Sequence, residues 1–465
     1  MKKAFIFFFA LSFQICFGQN QFLVFGSGAN DSFNSVIRTQ DQGWCMAGTT
    51  GGELGSQTDV YVVKTDNDFN CLWSLNVGAE GVEIETDAVQ LSNGEIVLCG
   101  YSIDNPSLGY ENYLVRISPS GSVLDELRWG DAIWNRLHHM VVDDSDQVYV
   151  IEESFAANGD QLFELKAIDD FGNSLWSMPL STSTLPADLK IYQNKLYVAF
   201  QKNGVNGIQP AVHQFELDGT LSGIFNSPET TAILHGLVVN VFGVTVIGEH
   251  PNGSFRNPYT CVFNFDTSIS LEQAFNYDYN AWYTRAGVTQ EGYTLVGETS
   301  SLGLGMVDWI VHRTNASCQY INGGTVGSTK TDVAGDVLVV NDSVVVVGSS
   351  NGFALNQQNQ AVLYFNPSSN LNNQDITPVA TNCFYVGIDS INQESEGQWL
   401  IQEEIANWTK SGDYPSHTGL YDLSGRCLGN WQNQKQIPLP SQQGMYFLQF
   451  KVAEKNYTQK IVLHP

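Results

Sequence analysis

The sequence predicts an all-β chain: a seven-bladed β-propeller followed by a small C-terminal β-sandwich. Three observations carry this. A unit of about 50 residues recurs seven times along most of the chain, the size of a four-stranded propeller blade. Each copy reads as short apolar or alternating runs set between polar turn formers, a pattern of strands. After Cys383 the period is lost and hairpin-like runs replace it.

The chain has 465 residues, enough for two or three domains and at least one large core. Residues 1–18 read as a secretory signal peptide. Lys2 and Lys3 precede an apolar run from Ala4 to Phe13, and the small residues Cys16 and Gly18 precede a cleavage point before Gln19. That run is too short to span a bilayer, so no membrane span is expected once it is removed. Forty-eight acidic residues stand against 21 basic ones, a net charge of −27. Such a field repels nucleic acid and anionic membrane, which excludes both as partners. The eight cysteines are scattered and contain no CxxC, so they define neither a dense disulfide framework nor a pairing.

The repeat is clearest at the end of the second strand of each copy. "GWCMAG" closes at Gly48, "EIVLCG" at Gly100, "QVYVIE" at Glu152, "KLYVAF" at Phe200, "GVTVIG" at Gly248, "GYTLVG" at Gly297 and "SVVVVG" at Gly348. A third strand follows in every copy and ends on Asp66, Ser118, Asp169, Asp218, Asp266, Asn315 or Asn366, side chains that can bond the backbone of the turn. The fourth strand of the early copies carries Trp73, Trp129 or Trp176, whose recurrence marks them as packing residues. The seventh copy lacks a clear fourth strand. The N-terminal run "FLVFGSG" at 22–28 has one to spare, so residues 22–26 are expected to complete the last blade and close the ring. The propeller then covers 19–370, and 371–383 is a polar linker.

Residues 417–465 read as hairpins: "GLYDL", a turn at Ser424-Gly425, "RCLGNW", then "GMYFLQFKV" and "TQKIVL". With Tyr421-Asp422-Leu423-Ser424-Gly425-Arg426, the Gly444-Met445-Tyr446 step and the terminal Lys460-Ile461-Val462, this segment resembles the C-terminal sorting domain of the type IX (Por) secretion system of Bacteroidetes. The Tyr-Pro-Asn-Pro motif that usually opens such domains is absent, and "CFYVGIDS" at 383–390 stands in its place. The resemblance covers about 80 residues, here 384–465. It implies a small β-sandwich read by the type IX machinery, with Tyr421, Gly425, Gly444, Tyr446 and Lys460 as the sorting motif, and a secreted or cell-surface protein.

No motif compels chemistry. Gly348-Ser349-Ser350-Asn351-Gly352 fits GxSxG, but it leaves a strand with no helix pattern after it, so the strand-to-helix elbow of a serine hydrolase is not expected. Asp66, Asp68 and Asn70 have the spacing of half a calcium loop, without the glycine or the twelfth-position glutamate. Asp143, Asp144 and Asp146 are similar. Both sets read as turns, and no cofactor is expected, with calcium as the alternative.

The repeat register points instead to the axis. Seventeen residues before each closing residue stand Asp31, Glu83, Asn135, Ser183, Thr231, Asn280 and Thr331, expected near one face of the disc. Four residues later come Ser35, Asp87, His139, Ala187, His235, Thr284 and Gly335, small or polar where a channel would run. Asp87, His139 and His235, with Asp188, Arg285 and Asp336 one residue further on in their copies, form the titratable set expected to converge there as ligand-binding candidates. Their plain alternative role is to line a wet channel. No pair has a spacing that dictates acid–base catalysis, and HExxH is missing. The function expected is a binding or adhesion module for an extracellular glycan or protein. The alternative is a polysaccharide-active enzyme centred on the channel mouth. Fold alone does not choose between them.

Overall fold

The computed structural model describes residues 21–365 apart from 26–30, 52–57, 79–80, 104–108, 131–133, 156–158, 181–183, 205–206, 230, 304, 342 and 352–358. Beyond 365 it describes 379–380, 399–402, 405–408, 417–422, 427–432, 434, 436–438, 444–452 and 455–463. The expected signal peptide at 1–18 and most of the expected linker therefore lie outside the described residues.

Each repeat copy is an antiparallel meander. In the first, Asp31–Arg38 pairs with Trp44–Gly51, which pairs with Thr58–Thr65, which pairs with Cys71–Val77. The first strands of the copies are Asp31–Arg38, Val82–Gln90, Asn135–Val142, Asp188–Tyr192, Ile233–Asn240, Ala281–Val288 and Asp332–Val340. Each packs against the first strand of the next copy, and Asp332–Val340 packs against Asp31–Arg38, so the seven close a ring. The fold is an all-β propeller.

The expectation of seven separate blades needs correcting. Five sheets stand as single blades, and the first two copies share one eight-stranded sheet. The join is a single parallel pair, Thr58 with Val82, made where the short connection after Val77 brings the start of copy two beside the third strand of copy one. A like parallel bridge, Val307 with Thr331, links copies six and seven without merging their sheets.

Closure follows the sequence expectation. Gln21–Phe25 pairs antiparallel with Asn359–Phe365 in the last copy, in the register Phe22 to Leu363 and Val24 to Ala361. All four apolar residues of that strand are buried. Phe22 and Val24 join the core between copies six and seven, while Leu23 and Phe25 join the core between copies seven and one. Burial of each such side chain contributes about 1.5–3 kcal/mol, so a strand that is apolar on both faces is held more firmly than its five residues suggest. Val379–Ala380 adds a short parallel strand outside it.

The cores follow the repeat. Among the described residues, clusters of buried side chains join each copy to the next around the whole ring. The recurring tryptophans belong to this packing. Trp73, Trp129 and Trp176 each lie over the turn glycine of the following copy, Gly121, Gly172 and Gly219, which have φ of +86°, +78° and +85°. A Cβ on any of the three would come within 2.7–2.9 Å of the indole. Glycine is needed there twice, for the left-handed backbone and for the close approach. The turn formers also act as expected. The Asp66 carboxylate accepts the N–H groups of Asp68 and Asn70, Asp143 those of Ser145 and Gln147, and Asp169 those of Phe171 and Asn173.

The C-terminal segment contributes two sheets. One joins Trp399–Gln402, Ile405–Trp408 and Gln436–Pro438. The other has four antiparallel strands in the order Cys427–Trp431, His417–Asp422, Gly444–Val452, Lys455–Leu463. In it Tyr421 pairs with Phe447, Tyr446 with Asp422 and Ile461, Gly444 with Leu463, and Lys460 with Phe447. Gly425 lies outside the described residues. No helix among the described residues is long and apolar enough to cross a membrane.

Candidate functional site

Six of the seven first strands carry a one-residue irregularity, at Asn34, Thr86, His138, His235, Thr284 and Gly335. In copy four the paired strand begins at Asp188, just after the corresponding Ala187. The column that follows this irregularity is Ser35, Asp87, His139, Asp188, Gly236, Arg285 and Asp336. Five of the six channel candidates belong to it. His235 does not, because the first hairpins of copies four to seven are one residue shorter, so a fixed count from the closing residue lands one place early. The same slip moves the expected ring of starting residues. Asp31, Glu83 and Asn135 are in register, Thr231, Asn280 and Thr331 stand one place before it, and Ser183 lies outside the described residues.

A first strand is the inner edge of its sheet, so half of its N–H groups face the axis without a ladder partner. The acids of the column meet this need across copies. Asp87 Oδ2 accepts the Met140 N–H at 3.0 Å, Asp188 Oδ2 that of Leu237 at 3.0 Å, and Asp336 Oδ2 that of Val36 at 3.1 Å, across the closure of the ring. The other oxygen of each accepts the N–H of the next residue, Ala88, Leu189 or Val337, at 2.8 Å. Elsewhere the link changes type. Ser35 Oγ donates to Glu85 at 2.6 Å, Thr86 Oγ1 to Leu137 O at 2.9 Å, and Arg285 Nη1 back to His235 O at 3.0 Å.

Lys190, which sequence reasoning missed, sits among these acids. Its ammonium lies 2.8 Å from Asp188 Oδ1. Burial pushes Lys190 down, but Asp188, Asp87 and Asp336 outweigh it and hold its pKa above the ordinary lysine value. Burial likewise pushes Asp188 up, and Lys190, His139 and Arg285 together bring it below the usual carboxylate range. For Asp87 burial wins, and its pKa is pushed up to about 7 against Lys190 and two backbone N–H groups. Burial raises Asp336 against Arg285 and Lys190. Burial drives His139 down to about 3, so its ring is neutral, with Nδ1 4.0 Å from Asp188. Glu85, also missed, is 1% exposed, and burial pushes it up to about 8. The axis thus holds a mutually neutralising set in which the Asp87, Asp188 and Asp336 oxygens bond backbone and Glu85 bonds the Ser35 hydroxyl. His235 faces elsewhere, with Nε2 3.8 Å from Glu249. Among the described residues no group of three or more His, Cys, Asp or Glu side chains is placed to hold a metal ion.

A second feature lies on the disc face where first strands begin, second strands end and third strands begin. Tyr101, Tyr110, Trp134 and Phe155 come from four such ends in copies two and three. Tyr110 and Trp134 have ring centroids 4.3 Å apart, Tyr101 lies 5.2 Å from Tyr110, and Phe155 5.6 Å from Trp134. The Arg136 guanidinium lies 3.9 Å from the Tyr110 ring, 4.7 Å from Trp134 and 4.8 Å from Tyr101. The same face in copies five and six carries Arg256 over Trp282 at 4.8 Å, there ion-paired with Glu249. Only the Trp134-Asn135-Arg136 run offered a sequence signal for this cluster, since its other rings are far off in the chain. Gly348, Ser349 and Ser350 of the GxSxG run lie within the strand Ser343–Ser350, as expected of a scaffold segment.

Together the ring of meanders and the polar axis define the chain as a β-propeller protein. Among solved structures it is similar to the β-propeller domain of the Trilobed protease from Pyrococcus furiosus, at 8% identity over 76% of this chain and 97% of that one, TM-score 0.44. It is also similar to the polysaccharide lyase Uly1, at 8% identity over 72% of this chain and 89% of that one, TM-score 0.43. A third similar structure is PorZ, a bacterial surface component of the type-IX secretion system of Porphyromonas gingivalis, at 10% identity over 93% of this chain and 59% of that one, TM-score 0.39. No family model matches the chain, and no curated protein matches it. Likeness at these identities bears on nothing beyond the fold.

Proposed function

We propose that this chain is a secreted or cell-surface seven-bladed propeller, exported by the type IX secretion machinery, that binds an extracellular glycan or protein through the disc face where its first strands begin. In this reading the eight-stranded sheet is two blades joined at one bridge. The observation that carries the binding role is the half-buried cluster of Tyr101, Tyr110, Trp134 and Phe155 around Arg136 on that face. Aromatic surface with a few directed polar groups suits recognition of a partner. The export role is supported by the likeness of 384–465 to sorting domains. The enzyme reading is the weaker one, because the axial carboxylates are engaged with backbone N–H groups and with Lys190 rather than left to act on a substrate.

The test is a binding and turnover screen of the full chain on a panel of extracellular polysaccharides and surface proteins. Binding without new reducing ends or unsaturated products is expected. Catalytic product formation that is lost in the Asp87→Asn variant would replace this reading with the enzyme.

A further inference from the structure

Seven arginine side chains are described, and six of them donate at least one hydrogen bond: Arg38, Arg116, Arg128, Arg256, Arg285 and Arg313. Arg136 donates none among the described residues. Its planar faces are held by Tyr110, Trp134 and Tyr101. The carboxylate beside it, Glu153, lies 3.8 Å away and is already engaged, accepting from His138 Nε2 at 2.7 Å and from Gln161 Nε2 at 2.6 Å. Its side chain keeps 21% of its exposure, and its Nε, like those of Arg38, Arg116 and other arginines, is buried without a partner among the described residues. Arg256, in a like place, has Glu249 as its partner. Arg136 is therefore a guanidinium fixed in position by rings, with no hydrogen-bond acceptor within bonding distance of it among the described residues.

Resting on the binding reading above, we infer that Arg136 with Tyr110 and Trp134 recognises a uronic-acid residue of an extracellular polysaccharide. A guanidinium edge takes a carboxylate through two parallel, charge-assisted hydrogen bonds, a geometry lysine cannot reproduce. A pyranose presents an apolar C–H face beside that carboxylate, which matches the rings flanking the guanidinium. A single cation with no lysine in the cluster fits one carboxylate better than a doubly charged phosphate. The overall charge of −27 opposes polyanions at long range, so recognition depends on this local contact and not on steering.

The test uses the full chain, calorimetry and three sets of probes: uronate oligosaccharides, the same oligosaccharides with their carboxyls reduced to neutral sugars, and sulfated oligosaccharides with acidic peptides. The uronates are expected to bind at least tenfold more tightly than their reduced forms. Arg136→Gln should abolish that preference, Arg136→Lys should keep only part of it, and Trp134→Ala should weaken both forms together. Thermal unfolding of each variant checks that it remains folded, and the acid-over-neutral ratio is read within each variant, so a uniform loss of folded protein does not mimic the effect. Equal binding of acid and reduced forms, or an unchanged preference in Arg136→Gln, would overturn the inference and leave the binding reading standing. A preference for sulfated sugars or acidic peptides would overturn the uronate assignment alone. Absence of binding to every probe would overturn this inference, and the broader panel then decides the binding reading separately.

Discussion

Replacing Glu85 by glutamine should make the protein more stable at pH 8 than it is in its native form. Glu85 is 1% exposed, its Oε1 accepts the Ser35 hydroxyl at 2.6 Å, and its Oε2 has no partner among the described residues. Burial, with the negative charges of Asp87 and Asp336, pushes its pKa from 4.5 to about 8 against the Ser35 hydrogen bond. The folded protein thus keeps this proton up to about pH 8, while the unfolded chain releases it near 4.5. Between those limits the folded state binds more protons, so stability falls as pH rises, by about 1.4 kcal/mol per pH unit at most. Over the window the loss is on the order of 5 kcal/mol as an upper figure. Glutamine keeps the shape and the acceptor for Ser35 but cannot ionise. Urea unfolding of both proteins at pH 4.5, 6, 7 and 8 should give nearly equal stabilities at the acid end and a growing advantage for Glu85→Gln toward pH 8. Asp87, raised in the same direction, is present in both proteins and cancels to first order in the difference. A difference that stays flat with pH would show that Glu85 is ionised in the folded protein, and the account of a protonated acid at the axis would fail.

Three further outcomes are expected. Asp336→Asn should lose about 1–3 kcal/mol in urea unfolding, because an amide can accept only one of the Val36 and Val337 N–H groups well and sets an N–H against the other; an unchanged midpoint would deny the closure link. Gly172→Ala should lower the melting temperature more than Gly159→Ala, since both sites have positive φ but only at Gly172 would the added Cβ meet an indole, that of Trp129, while Gly159 has nothing within 4 Å; the left-handed backbone alone costs about 1–2 kcal/mol, and equal losses would remove the packing role of the tryptophan. Deleting 384–465 should leave a folded propeller that stays in the periplasm of a host with type IX export, as cell fractionation would show; normal yield at the surface or in the medium would refute the sorting assignment.

The propeller was legible because its signals are local. The apolar closing runs from Gly48 to Gly348 set the period, the turn acids at 66, 143 and 169 set the hairpins, and the spare apolar strand at 22–25 told where the ring closes. The first two work through their own neighbours in the chain, and the third shows as an apolar run left over at one end where the last copy lacks a strand, so a single sequence displays all three. The channel residues were legible only to within one place. The first hairpin of copy one spans a five-residue loop between Arg38 and Trp44, whereas that of copy four turns through Gln193-Asn194 alone. A register counted across both slips by one, and that slip exchanged Gly236 for His235. The join of copies one and two was illegible for a related reason, since one parallel pair between Thr58 and Val82 depends on the path of a short connection. Lys190 and Glu85 were missed because their importance comes from which acids face them, and Arg136 because its rings come from residues 101, 110 and 134.

These two regions differ in what their polar groups still lack. At the axis, each acid of the aligned column takes a backbone N–H from the next copy, and Lys190 and Arg285 offset the charge that such a ring of carboxylates accumulates. A ligand entering there would have to compete with bonds that tie copy to copy, and binding would loosen the ring that forms the site. On the disc face the opposite holds. The rings around Arg136 fix its position without consuming its donors, and Glu153 is bonded by His138 and Gln161. In the proposed binding reading, a carboxylate meeting the outer edge of that guanidinium gains charge-assisted hydrogen bonds without displacing any that hold the fold together. The repeat therefore divides its labour by position. The polar residues nearest the axis tie copy to copy, and in the proposed binding reading those at the strand ends are left to meet a partner.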